Sequence, residues 1–154
     1  MERKTKVHAQ DGKQEIWIDR EFDIPVEALF RAHTQAEIVA QWMGTKVQRL
    51  DNHPLGSYSF ETTDSKGNKH LFQGCIHSLV PNQRISRTFE MVSTDFPEQM
   101  EYLVFEALDS RRSRLSMQMV YKSVEVRDKV LKLPFVQGIN MAHDRLQEVA
   151  EKHN

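Results

Sequence analysis

The feature that most constrains this chain is a change of period. From Lys46 to Lys122, apolar and polar residues alternate in one short segment after another; from Ser123 the apolar residues recur every three or four positions. Alternation puts one side of an extended strand on a core, and the longer spacing does the same for one side of a helix. Strand patterns that follow one another without a helical pattern between them cannot build parallel βαβ units, which leaves antiparallel strands joined by short turns. The expected strands are Lys46–Leu50, Ser57–Thr63, Lys69–Val80, Arg84–Met91, Gln99–Leu108 and Ser113–Lys122, with Leu115, Met117, Met119 and Tyr121 on one face of the last. Turn residues separate them: Asn52 to Gly56, Asp64 to Asn68 with Gly67 supplying a positive φ, Pro81-Asn82, Ser93 to Pro97, and Asp109 to Arg112.

Ahead of this run, Gln14 to Phe22 alternates Ile16, Ile18, Arg20 and Phe22 against Glu15, Trp17, Asp19 and Glu21, which predicts a first strand. Asp23-Ile24-Pro25 ends it, and Pro25 suits a helix's first turn, where its missing N–H has no intrahelical partner. Val26, Leu29 and Phe30 predict a short amphipathic helix over 25–33. Thr34, with Glu37 three residues on, reads as the capping box of a second short helix carrying Ile38, Val39 and Trp42 and closed by Gly44.

The C-terminal pattern predicts a helix of about 26 residues, roughly 40 Å long. Ser123 is its expected N-cap, with Glu125 in the first turn. Val126, Val130, Pro134, Gly138, Ala142, Leu146 and Ala150 form one row at a spacing of four. Pro134 lacks a donor and crowds the preceding turn, so a kink or break near 130–134 is expected. Gly138, on the apolar face, predicts the close approach of another element.

The fold class that follows is α+β: a curved antiparallel sheet of six to seven strands wrapped around a long C-terminal helix, with two short helices after the first strand. At 154 residues the chain has the length of one domain able to bury its own core. We expect a polar leader at 1–12 and a single domain over 13–152. A formal net charge of −1 excludes the basic excess of a nucleic-acid coat or an anionic-membrane binder. Cys75 is the only cysteine, which excludes an intramolecular disulfide and a multi-cysteine zinc site. No signal-peptide pattern or membrane-spanning apolar run occurs, so the expected location is the cytoplasm.

Four segments resemble the activator-of-heat-shock-chaperone-ATPase-like branch of the START-like (SRPBCC) superfamily: REFDIPVEALFRAHTQAEIVAQWMG over 20–44, Pro54-Leu55-Gly56-Ser57-Tyr58, SKGNKHLFQGCIHSLVPNQRISRTFE over 65–90, and SVEVRDKVLKLPFVQGINMAHDRLQEVAE over 123–151. The resemblance implies a helix-grip fold with the C-terminal helix lying across the sheet. It also implies one of three functions: a carrier of small hydrophobic ligands, a cyclase-like enzyme, or a co-chaperone domain. The co-chaperone proper carries an additional N-terminal domain for which 154 residues leave no room.

No site chemistry stands out in the side chains. The seven histidines fall in no zinc-ligand spacing, so no metal is expected, and single scattered glycines exclude a phosphate-cradling loop. His77 lies two residues from Cys75, but an inert thiol is the simpler reading. Arg20-Glu21 reads as a strand-end ion pair holding the first helix, and Arg111, Arg112 and Arg114 as a solvated turn. What remains is the apolar inventory, with seven Met and eight Phe. Trp42, Met43, Tyr58, Phe60, Phe72, Phe89, Tyr102, Met117, Met119, Phe135, Ile139 and Met141 are the residues expected between sheet and helix. Tyr58, Tyr102, Tyr121, His77 and Asn140 are the polar groups that could orient a ligand there. The function expected is therefore binding of a small hydrophobic molecule, with no cofactor and no catalytic residue. The alternatives are a cyclase, dehydratase or hydrolase using the same space, or a co-chaperone-like interaction domain. The chain is expected to be a monomer or homodimer, with Trp17 and Leu71 facing outward as its self-association surface.

Overall fold

A computed structural model describes residues 4–153, so residues 1–3 of the expected leader lie outside the described residues. The strands are β1 (Lys6–His8), β2 (Glu15–Phe22), β3 (Lys46–Leu50), β4 (Ser57–Thr63), β5 (Lys69–Val80), β6 (Arg84–Met91), β7 (Gln99–Ala107) and β8 (Ser113–Val120). The helices are α1 (Val26–Thr34) and α2 (Ala36–Met43) between β2 and β3, then α3 (Val124–Lys132) and α4 (Phe135–Lys152) at the C-terminal end.

All eight strands form one antiparallel sheet in the order β1-β2-β8-β7-β6-β5-β4-β3. Helices α1 and α2 carry the chain from β2 across to the far edge, and a six-strand meander brings it back until β8 pairs with β2 in full register, from Glu15↔Val120 to Phe22↔Ser113. The strand count exceeds the expected six to seven because Lys6–His8 pairs with Asp19–Trp17 as an edge strand. Three residues are too few to show a period, so this strand is invisible in the pattern. Register shifts after Val47 in β3 and after Ile76 in β5 mark bulges, which bend the strands that carry them.

Alternation sends Ile16, Ile18 and Phe22 of β2, Leu103 and Phe105 of β7, and Leu115, Met117 and Met119 of β8 to the inner face, where they meet α1, α2 and α4. A second cluster, Val39, Tyr58, Phe60 and Ile76, fills the β3–β5 end. At Gly74 the reason for a mid-strand glycine is visible. A Cβ there would stand 2.0 Å from the Thr88 carbonyl oxygen and 2.6 Å from the Tyr58 hydroxyl. The Tyr58 ring occupies the space that a side chain at 74 would take, and its hydroxyl donates to that same carbonyl.

The C-terminal helix breaks where Pro134 predicts. α3 ends at Lys132, and α4 begins immediately after the proline. Ser123 caps α3 as expected, its hydroxyl accepting from Val126 N–H at 3.2 Å. Gly44 takes the left-handed conformation that closes α2. Three local expectations are corrected. Thr34 ends α1 and returns its hydroxyl to the Phe30 carbonyl, so Gln35 takes the N-cap position of α2. Gly138 is exposed with nothing within 4 Å of a Cβ built on it, so no other element approaches it closely. Arg20 reaches α4 rather than α1, pairing with Asp144 at 2.8 Å, while Arg114 takes Glu21 at 3.0 Å.

Candidate functional site

A recess of about 240 Å³ lies between the inner face of β6–β8 and the helices α1, α2 and α4. The alternation of each strand decides what faces it: Phe89 and Arg87 from β6, Glu101 and Gln99 from β7, Met117 and Met119 from β8. Trp42 and Met43 close one side from the end of α2, and Phe135, Ile139 and Ala142 cover it from the first turns of α4. Trp42 is fixed by its indole N–H, which donates to the Ala32 carbonyl at 2.6 Å.

Seven of the twelve residues expected between sheet and helix therefore meet here: Trp42, Met43, Phe89, Met117, Met119, Phe135 and Ile139. Tyr58, Phe60 and Phe72 do not line it. They pack in the β3–β5 cluster beyond Phe89, with Phe72 stacked on Phe89 at 5.6 Å. Tyr102 alternates to the outer face and is 43% exposed, and Met141 points away from the sheet at 53%. Of the expected polar groups, Tyr121 is buried against Met119 and His77 is exposed. Asn140 is spent on Thr5 N–H and the Val136 carbonyl.

The polar groups of the recess are not among the residues that the sequence pattern points to. Arg87 and Glu101 pair at 3.1 Å, both nearly buried, and Gln99 donates to the second carboxylate oxygen at 2.9 Å. The Arg87 guanidinium also lies 5.2 Å from the centre of the Tyr58 ring. His33 and His143 both neighbour Trp42, with ring centres 5.4 and 6.4 Å from it. Burial pushes His33 down to about 4, helped by the Arg87 cation, and pushes His143 down to about 3, helped by His33 and Arg20, so both rings are neutral at physiological pH. Arg145 sits exposed at the rim, donating from Nε to the Trp42 carbonyl at 3.0 Å.

Arg87, Gln99 and Glu101 alternate with the inward positions of their strands, but strand periodicity assigns a charged residue to solvent. A polar residue at an inward position opposite another, Arg87↔Glu101, is the signal that register knowledge would have supplied. Among the described residues, no group of three or more His, Cys, Asp or Glu side chains is placed to hold a metal ion. The arrangement is thus a recess with largely apolar walls in which Arg87, Gln99, Glu101, His33 and His143 are the polar members. No helix among the described residues is long and apolar enough to cross a membrane.

A sheet gripping a C-terminal helix over such a recess defines the helix-grip class of the START-like (SRPBCC) superfamily. The chain belongs to the family described as activator of Hsp90 ATPase homolog 1-like protein, whose model matches residues 23–151. No curated protein matches it. Solved structures share the fold at low identity. Protein Ms6760 from Mycobacterium smegmatis superposes with a TM-score of 0.86 at 19% identity, covering 95% of this chain and 96% of that one. A protein from Arthrobacter aurescens gives 0.87 at 13%, covering 96% and 91%. CV1439 from Chromobacterium violaceum gives 0.74 at 23%, covering 90% and 97%.

Proposed function

We propose that this chain binds a small, largely apolar molecule in the recess beneath α4, acting as a carrier or sensor in the cytoplasm. The observation that carries this reading is the recess itself: Trp42, Met43, Phe89, Met117, Met119, Phe135 and Ile139 wall it, and a few polar groups, among them Arg87, Glu101 and His33, stand among them. Small-molecule sites combine apolar walls with a few placed polar groups in this way. At about 240 Å³ the space is smaller than the ~300–1,000 Å³ of drug-sized sites, so the ligand is small. Flexible methionine walls at 117 and 119 let the slot adjust to the occupant.

A catalytic reading rests on His33, His143 and Glu101 all lining the recess. It is the weaker of the two. A working general base has a pKa near the operating pH, and both histidines lie well below it. The co-chaperone reading draws on the family description alone.

Native mass spectrometry of the purified chain, followed by solvent extraction, tests the binding reading. The expected result is a bound small molecule released on extraction, and its loss in Ala142→Phe, which fills the slot from α4. A chain that carries nothing and shows no chemical-shift change around Trp42 with any small aromatic or aliphatic probe would remove the proposal.

A further inference from the structure

The charged side chains that line the recess do not balance. Two arginines, Arg87 and Arg145, face one carboxylate, Glu101, and the lining histidines His33 and His143 are neutral at physiological pH, so the lining carries a net positive charge. Glu101 is engaged through both oxygens: one accepts from Arg87 Nε at 3.1 Å and the other from Gln99 at 2.9 Å. Arg87 and Glu101 therefore cancel. The uncompensated cation is Arg145, which has no carboxylate partner among the described residues.

The hydrogen-bond donors do not balance either. Arg87 spends Nε on Glu101, and no acceptor among the described residues takes its Nη1 or Nη2, although the side chain is only 13% exposed. Arg145 spends Nε on the Trp42 carbonyl at 3.0 Å, in the last turn of α2, and its Nη1 and Nη2 likewise have no acceptor among the described residues. The bond to Trp42 ties the guanidinium to the rim and needs only Nε. The two Nη groups left over form a planar fork, and a carboxylate is the group whose two oxygens match it. The exposure of Arg145 suits a charged partner. A head group held at the rim keeps part of its hydration, whereas one driven in against Glu101 would lose it and meet a like charge.

We propose that the recess binds an apolar monocarboxylate. Its body lies against Trp42, Phe89, Met117, Phe135 and Ile139, and its carboxylate accepts from Nη1 and Nη2 of Arg145 at the rim. The inference rests on the reading of the recess as a ligand site and adds the ligand's charge and the residue that selects it. A carboxylate brings the lining to neutrality. An ammonium would put a second uncompensated cation into the same lining, and a neutral amide would keep the wall contacts but lose the charge-assisted pair.

The test titrates the full chain with benzoate, benzamide and benzylamine, following the Trp42 indole N–H and the Met117 and Met119 methyl groups by NMR. Benzoate and benzamide share the ring and differ in charge. Benzoate should bind about three- to tenfold more tightly than benzamide, as expected for a charge-assisted pair at a partly exposed site, and benzylamine should bind most weakly. Raising the salt from about 0.05 to 0.5 M should shrink the preference, because the pair sits within reach of solvent ions. In Arg145→Gln the benzoate-to-benzamide ratio should fall to about one. Arg145→Lys, which keeps the charge but not the fork, should give a ratio between that and the wild type. Equal binding of benzoate and benzamide by the wild-type chain, or a benzoate preference that survives Arg145→Gln, overturns the inference while leaving the ligand site standing. Failure of all three probes to shift the Trp42 and methionine signals overturns both. The wild-type ratio and its salt dependence need no variant, so the inference stays exposed to refutation even where Arg145→Gln does not fold.

Discussion

Lowering the pH from 7 to 5 should remove a large part of this protein's stability through two side chains. His33 and His143 each have an ordinary pKa of 6.5 in the unfolded chain and are pushed to about 4 and about 3 in the fold, chiefly by burial. For a base whose folded pKa is depressed, the native state resists the proton that the unfolded state accepts. Stability is therefore intact above about pH 6.5 and falls as the pH drops toward the folded value. At pH 5 the unfolded chain binds a proton at each site that the fold does not. With 1.36 kcal/mol per pH unit below 6.5, each histidine costs about 2 kcal/mol, and the two together about 4 kcal/mol. That is a substantial share of the ~5–15 kcal/mol typical of a domain. Asp64, held down to about 2 first by its hydrogen bond to His70, titrates below its ordinary 3.8 and leaves this window undisturbed. Urea unfolding followed at pH 7, 6 and 5 reads the effect directly. His143→Gln should be less stable at pH 7, but its loss between pH 7 and 5 should be about half that of the wild type. A urea midpoint unchanged from pH 7 to 5, or two buried histidines titrating near 6.5 by NMR, would refute the assignment of both rings as neutral, desolvated groups.

Four substitutions probe the remaining arguments. Gly74→Ala forces a methyl against the Thr88 carbonyl and the Tyr58 ring and should cost about 1–3 kcal/mol in chemical denaturation. Gly138→Ala, in an exposed helix position with open space around it, should instead raise stability by up to about 1 kcal/mol and raise Tm. Glu101→Gln strands the Arg87 cation and should destabilise by about 3–5 kcal/mol, whereas replacing both partners with apolar residues should cost less. Ser123→Ala removes the α3 cap and should cost about 1 kcal/mol, measured by urea unfolding.

The parts of this molecule that the sequence discloses are those governed by period and by punctuation. The strands from β2 to β8, the break at Pro134, the Ser123 cap and the Gly44 stop each follow from a local rule that one or two residues carry. The recess follows only in part, for a physical reason. Apolar residues such as Met117 and Phe135 declare their face by hydrophobicity, and seven of the twelve expected residues gather under α4. Tyr58, Phe60 and Phe72 are equally apolar, yet which of two clusters an inward residue joins depends on strand order. That order is set by the crossing of α1 and α2 to the far edge, which no local pattern records.

Polar residues are misread for the opposite reason. Tyr102 and Glu101 are neighbours on β7, and hydropathy alone assigns the tyrosine to the core and the glutamate to solvent. The structure reverses this, because Glu101 stands opposite Arg87 across the β6–β7 ladder and the pair can be buried together. His33 bonds within its own helix to Leu29, but the ring neighbour Trp42 and the His143 partner Thr5 lie elsewhere in the chain, which puts the placing of both histidines farther out of reach of sequence reasoning. The polar groups of the recess are thus brought together mainly by pairings between elements, such as Arg87 with Glu101 and His143 with Thr5, while its walls come from local pattern. A sequence of this kind discloses that there is an apolar slot before it discloses what the slot would recognise.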